Sequence, residues 1–282
     1  MLGSVGDLLD DVVVRQQAPV RHGADTPSII VRRRGGSAAN VAAAAARAGY
    51  RSRFIGQVGD DPAGRMLVAE LTALGVDMRV RHRGRTGTVV ALVDHRGERT
   101  MLTDRGTATE LALVEAAWGN GLHTLHVPLY SLAVEPLATA SRSLIDIARH
   151  DGATISVDLS SVTVLDDLGM GTVIAMLEAM APEVVLANAD EAHHVGAAAL
   201  GRVADVVVVK RGAEPALVTV RNERTVEVPV PEPCEPTDTT GAGDAFAGGF
   251  LPALASGLSP TEAARRGHEV AGAHLRALSA PT

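Results

Sequence analysis

The sequence predicts an α/β fold: a mostly parallel central sheet flanked by helices, with a small β-sheet lid outside it. Three observations lead there. Short apolar, β-branched runs alternate with longer helical patterns along the chain. Those runs lack polar alternation, as strands buried on both faces do. Glycine is plentiful, at 29 of 282 residues, which suits many tight strand–helix turns. A chain of this length buries a full-sized core, and residues 1–282 read as a single domain.

Taken in order, residues 53–56 predict a strand and 61–74 a helix. Residues 124–127 predict a strand and 135–149 a helix. Further strands are predicted at 153–158, 184–187 and 206–210. The alanine run at 42–46 is a strong helix former. Two regions break the alternation: 12–14 with 28–33, and 88–94 with 99–102. They have the look of hairpin strands, and Asp94-His95-Arg96-Gly97-Glu98 fits a loop between antiparallel partners. These four strands form the expected lid, spanning about 12–34 and 86–103, over a ligand.

Composition narrows the function. The formal charge is −7, and no basic tract exceeds Arg32-Arg33-Arg34, so a nucleic-acid partner is not expected. The single cysteine, Cys234, can form no internal disulfide, which fits a reducing cytoplasm. The opening residues lack the shape of a signal peptide. No run reaches about 18 uncharged apolar residues, so no membrane span is expected.

The strongest local signal is Asp238-Thr239-Thr240-Gly241-Ala242-Gly243-Asp244-Ala245-Phe246. It follows a proline-rich stretch, 228–236, and opens a long apolar pattern reaching 255. Gly241, Ala242 and Gly243 let the backbone approach a ligand, and their amides lie at a helix start, where the macrodipole is positive. That is an anion hole for a transferring phosphoryl group. Asp244 stands at its edge, where a base would take a proton from an attacking hydroxyl. The chain contains no Walker A loop, and Gly241, Gly243 and Gly248 do not have dinucleotide-binding spacing.

With Gly35-Gly36-Ser37-Ala38-Ala39-Asn40-Val41-Ala42, then Gly49 and Gly59, this motif resembles the paired signatures of the ribokinase-like (PfkB) carbohydrate kinases. The resemblance implies ATP and Mg²⁺ as cofactors and a sugar or sugar acid as substrate, phosphorylated on a primary hydroxyl. It implies Asp244 as the base and Gly241, Ala242 and Gly243 as the phosphate cradle. Asn188-Ala189-Asp190-Glu191 resembles the family's N-x-x-E motif, in which Glu191 would organise Mg²⁺ through water; the bland alternative is a helix start capped by Asn188. Lys210 and Gly212 resemble the nucleotide loop, and His268 falls near a position that approaches adenine, unless it is merely structural. Gly35, Gly36 and Asn40 match the sugar-binding motif, with Asp11 as the hydroxyl-binding aspartate and Asp10 as its competitor. Arg105 would pair with a substrate carboxylate, or be a solvated loop arginine. Asp238 and Thr240 match positions of a monovalent-cation site, implying K⁺.

Two departures stand out. Pro215 replaces a second glycine of the nucleotide loop, and the end of the chain, 275–282, is shorter than the family's closing segment. Two other readings accompany the sugar kinase: a nucleoside kinase of the same fold, poorly served by so few aromatic residues, and a non-catalytic nucleotide- or sugar-binding regulator. The apolar lid strands also suggest a homodimer formed through the lid.

Overall fold

The apolar runs become the middle of a large sheet. The computed structural model describes residues 1–94, 98–233 and 238–279; Cys234, Pro236 and the tip of the lid turn, 95–97, lie outside them. In chain order the strands are β1 (Leu2–Val5), β2 (Leu9–Gln16), β3 (Ser28–Gly35), β4 (Ser52–Val58), β5 (Asp77–His82), β6 (Thr86–Val93), β7 (Arg99–Gly106), β8 (Thr124–Pro128), β9 (Thr154–Asp158), β10 (Val184–Asn188), β11 (Val206–Arg211), β12 (Glu214–Val220) and β13 (Val226–Val228). Among the described residues they form a nine-stranded sheet, ordered β13-β12-β11-β10-β9-β8-β1-β4-β5, and a separate four-stranded sheet, β3-β2-β6-β7.

The large sheet is parallel from β11 to β5 and ends in the antiparallel pairs β11–β12 and β12–β13. Its strands alternate sides, as a period of two requires. On β10, Val185 and Ala187 join the core that holds Leu125, Ile155 and Leu177, while Val184 and Leu186 join the opposite core with Val208 and Phe250. The strand order reverses between β1 and β8, and ligands of open α/β sheets bind beyond the carboxyl ends of strands at such a point.

Several elements differ from the sequence reading. The helix after β4 runs Pro62–Ala73, because the Asp61 carboxylate caps it by accepting from the Gly64 amide at 2.8 Å. The later helix is Leu137–His150. Strands β5, β12 and β13 were not expected; they are mixed in polarity and lie towards the edges. Pro215 sits in β12 opposite a register irregularity between Val209 and Arg211. A proline lacks a ladder donor, and that irregularity accommodates it. In the small sheet β2–β3 and β6–β7 are antiparallel, but the two hairpins join through parallel pairing of β2 with β6.

Candidate active site

Two helix starts meet above the large sheet. Helix Ser37–Arg47 packs on helix Ala242–Ala255. Gly248 sets their separation: a Cβ there would fall 2.7 Å from the Ala44 Cβ and 2.9 Å from the Ala45 nitrogen. This close crossing brings the first turn of one helix against the first turn of the other. The Ser37 hydroxyl donates to Asp244 Oδ1 at 2.7 Å, and Asn40 Nδ2 donates to Asp244 Oδ2 at 2.9 Å. Burial pushes the Asp244 carboxyl up to about 6, against the pull of these two donors.

The amide-lined hollow beside it is narrower than the sequence suggests. The Ala242 N–H already donates to the Thr239 carbonyl at 3.2 Å. The N–H groups of Gly241, Gly243 and Asp244 have no acceptor among the described residues. Gly241 takes φ 76° as the residue before the helix, which turns the chain into it without a Cβ penalty.

Beneath lies a charged cluster from three adjacent strand ends. Lys210, on β11, pairs with Asp158, the last residue of β9, at 2.5 Å. Its ammonium lies 3.2 Å from where a Gly243 Cβ would stand. Burial alone would lower the Lys210 ammonium, but Asp158, then Glu191 and Asp244, hold it above its ordinary value. From the end of β10, Asn188 caps its helix: its Oδ1 accepts from the Glu191 amide at 2.8 Å, and Glu191 accepts from the Asn188 amide at 2.8 Å and Nδ2 at 2.7 Å. The capping arrangement is therefore present, and Glu191 is buried within it. Burial, then the Asp158 charge, pushes the Glu191 carboxyl up to about 7.

A cavity of about 260 Å³ opens on one side of the hollow, lined by Lys210, Gly212, Gly243, Phe246, His268 and Leu275. His268 is fixed there: its Nε2 donates to the Val228 carbonyl at 3.2 Å, and its ring meets Phe246 edge-on at 5.2 Å. The two ideas of His268 as structural and as cavity-lining thus coexist. The room, the unpaired amides and the lysine suit a nucleotide. Among the described residues no cluster of three or more His, Cys, Asp or Glu could hold a metal by itself. Asp158 is paired with Lys210 and Glu191 accepts from Asn188, so an Mg²⁺ ion here would be carried mostly by phosphates and water.

The other side faces the lid. Asp11 lies over Gly35, where a Cβ would fall 2.0 Å from the Asp11 Oδ1. Burial pushes the Asp11 carboxyl up to about 6, opposed by Arg33. Its neighbour Asp10 is buried and paired with Arg32 on β3, which leaves Asp11 as the aspartate of this cavity. Arg105 is ion-paired with buried Asp7 and lies 4.5 Å over the Tyr130 ring; the second Asp7 oxygen has no hydrogen-bond partner. Asp238 accepts from the Thr240 amide at 2.9 Å and from Arg33 at 2.9 Å. Burial raises its carboxyl, but the Thr240 hydroxyl and amide and Arg33 outweigh this and hold it well below the usual range. The carboxylate assigned by resemblance to a monovalent cation thus carries a guanidinium.

Sequence reasoning passed over Asp158 and Ser37. Asp158 ends a predicted parallel strand, the place where such sheets collect functional groups, so a signal existed. Ser37 stood inside the glycine motif, but its bond to Asp244 spans the chain and had none.

The backbone is similar to that of adenosine kinase from Sinorhizobium meliloti, with a TM-score of 0.86 and 25% identity over 98% of this chain and 93% of that one. Fold and site together define a ribokinase-like kinase of small molecules. The family model described as pfkB family carbohydrate kinase matches residues 1–280. Fructokinase from Salmonella typhimurium is 32% identical over 248 residues, covering 81% of this chain and 79% of the relative. The ATP-dependent ribose-1-phosphate kinase of Halopiger xanaduensis is 33% identical over 223 residues, covering 77% and 72%. The chain belongs to the pfkB family of carbohydrate kinases, which are phosphotransferases with an alcohol acceptor. A putative ribokinase II from E. coli, solved in complex with ATP and Mg²⁺, has a similar backbone, with a TM-score of 0.84 and 22% identity over 99% of this chain and 93% of that one. Among the described residues no helix is long and apolar enough to cross a membrane.

Proposed function

We propose that this chain transfers the γ-phosphate of ATP to a primary hydroxyl of a sugar or sugar acid, with Asp244 as general base. The observation that carries the reading is the clamped Asp244 carboxylate beside the unpaired Gly241 and Gly243 amides, between the cavity lined by Lys210, Gly212 and His268 and the Asp11–Gly35 wall. Bound ATP with Mg²⁺ would supply the phosphoryl group. Asp244 accepts the hydroxyl proton as the oxygen–phosphorus bond forms and ADP leaves. The Gly241 and Gly243 amides stabilise charge on the group in transfer. Lys210 adds positive charge beneath them, and Asp158 fixes it there. Glu191 takes part through water, and Gly212 and His268 shape the nucleotide cavity. Asp11, Gly35, Gly36 and Asn40 hold the acceptor. Purified protein with Mg²⁺, ATP and a panel of sugars and sugar acids should release ADP; no turnover on any of them would overturn the proposal.

The acceptor cavity disfavours a nucleoside. It measures about 150 Å³, and no Phe, Tyr or Trp lines it. Stacking, the usual means of holding a base, has no platform there.

A base must be ionised to act, so the raised Asp244 carboxyl sets a pH dependence. Above pH 6 kcat/KM should be level with respect to this group, and below it the value should fall roughly tenfold per pH unit. A pH–rate profile level down to pH 4 would exclude Asp244 as the base.

The lid also supports the homodimer. Successive residues Ile29, Ile30 and Val31 of edge strand β3 are each at least half exposed, so both faces of the strand are uncovered. Such apolar surface is expected to find a partner. Sedimentation velocity should show a dimer that Ile30→Asp converts to monomer; a wild-type monomer would remove the dimer from the proposal.

A further inference from the structure

The small acceptor-side cavity is walled by Asp11, Arg33, Arg34, Arg47, Gly241 and His274, with Glu70 at its side. Its basic groups differ in how far they are already satisfied. Arg33 is neutralised by Asp238. The His274 Nε2 donates to the Thr240 carbonyl at 2.9 Å, so this ring fastens the loop ahead of the helix start. Arg34 is nearly buried; its Nε donates to Glu70 at 3.3 Å and its Nη1 to Asn40, while its Nη2 has no partner among the described residues. Arg47, exposed at the end of its helix, makes no hydrogen bond or ion pair among the described residues.

Two guanidiniums thus look into one cavity: Glu70 engages Arg34 through its Nε alone, and Arg47 has no ion-pair partner among the described residues. Burial, eased by Glu70, and then the Arg47 charge hold the Arg34 guanidinium below its ordinary value. A bound anion would relieve that crowding and fill the open Nη2 donor. The position is also tied to the chemistry. Arg34 binds Asn40 Oδ1, and Asn40 Nδ2 binds Asp244. One side chain therefore spaces the guanidinium from the base. Arg105, the arginine that resemblance assigns to a substrate carboxylate, already has its charge paired by Asp7.

We propose that Arg34 and Arg47 form an anion subsite that selects acceptors carrying a negative group, a phosphate ester or a carboxylate, beyond the hydroxyl that is phosphorylated. This rests on the kinase reading above and narrows its substrate class. Positive charge at this end of the cavity also offsets the repulsion that an anionic acceptor would meet from the phosphates of ATP.

The test separates the subsite from the kinase reading. The full chain is first saturated with a non-hydrolysable ATP analogue and Mg²⁺, so that nucleotide phosphates cover the Gly241 and Gly243 amides. Inorganic phosphate, D-gluconate and D-glucose are then titrated by calorimetry. Phosphate binding would indicate a phosphate-ester acceptor, and gluconate binding a sugar acid. Either should weaken by about tenfold or more in Arg47→Ala, matching the loss of a charge-assisted bond, and recover in part in Arg47→Lys. Analogue affinity should not change. Arg47 is exposed, so these variants are expected to fold. If neither anion binds, if D-glucose binds as well as both, or if Arg47→Ala leaves anion binding intact, the subsite is overturned. Failure of the ATP analogue to bind would instead overturn the kinase reading.

Discussion

Asp244→Asn is expected to lower kcat by about 10²–10⁴-fold while an ATP analogue still binds, as calorimetry would show. The fold should tolerate the change. The Ser37 hydroxyl can turn to accept from the new amide nitrogen, and the remaining carbonyl can accept from Asn40 Nδ2. Only the proton acceptor is lost. Stability provides a second readout. The Asp244 carboxyl is raised from an ordinary 3.8 to about 6 in the folded protein. A carboxyl raised on folding favours the native state below its unfolded value, and that benefit is lost as pH rises through the folded value. Wild type should therefore lose stability relative to Asp244→Asn between pH 4 and pH 7. Retention of more than a few per cent of activity would remove Asp244 from the role of base. Equal pH dependence of Tm in both proteins would mean that the carboxyl is not buried at a cost.

Lys210→Met should be nearly as damaging, and for a different reason. Lys210 is the cation among Asp158, Glu191 and Asp244. Its removal leaves the Asp158 carboxylate, largely shielded from water, without its 2.5 Å partner. Unpairing a buried ion pair costs about 3 kcal/mol, or roughly 6–12 °C in Tm for a protein of this size. Turnover should also fall, because positive charge under the Gly243 amide is lost. The double variant Asp158→Asn/Lys210→Met separates the two effects. It removes both charges, so most of the stability should return while activity stays low. An unchanged Tm in Lys210→Met would show that the pair is well solvated. Full activity in the double variant would exclude Lys210 from transition-state stabilisation.

Much of this was legible in the sequence. The runs 124–127, 153–158, 184–187 and 206–210 became β8 to β11 because uninterrupted β-branched residues suit strands covered on both faces. The glycine-rich turn before Asp244 became a helix start, as its small residues and the apolar run behind it required. The pairing of β2 with β6 was not legible, since parallel partners distant in sequence leave no turn signal. Arg105 shows another limit: its residue type permits a substrate carboxylate, but only a folded chain places Asp7 against it.

The sequence by itself determined the elements, the parallel sheet and the two glycine motifs, because apolar periodicity and backbone permissiveness are local properties. The tertiary structure alone decided which side chains meet. Strand order brought Asp158 and Lys210 together from the ends of β9 and β11, and the close crossing at Gly248 set Ser37 and Asn40 on Asp244. Those contacts depend on distances between elements far apart in the chain, and no local pattern encodes them.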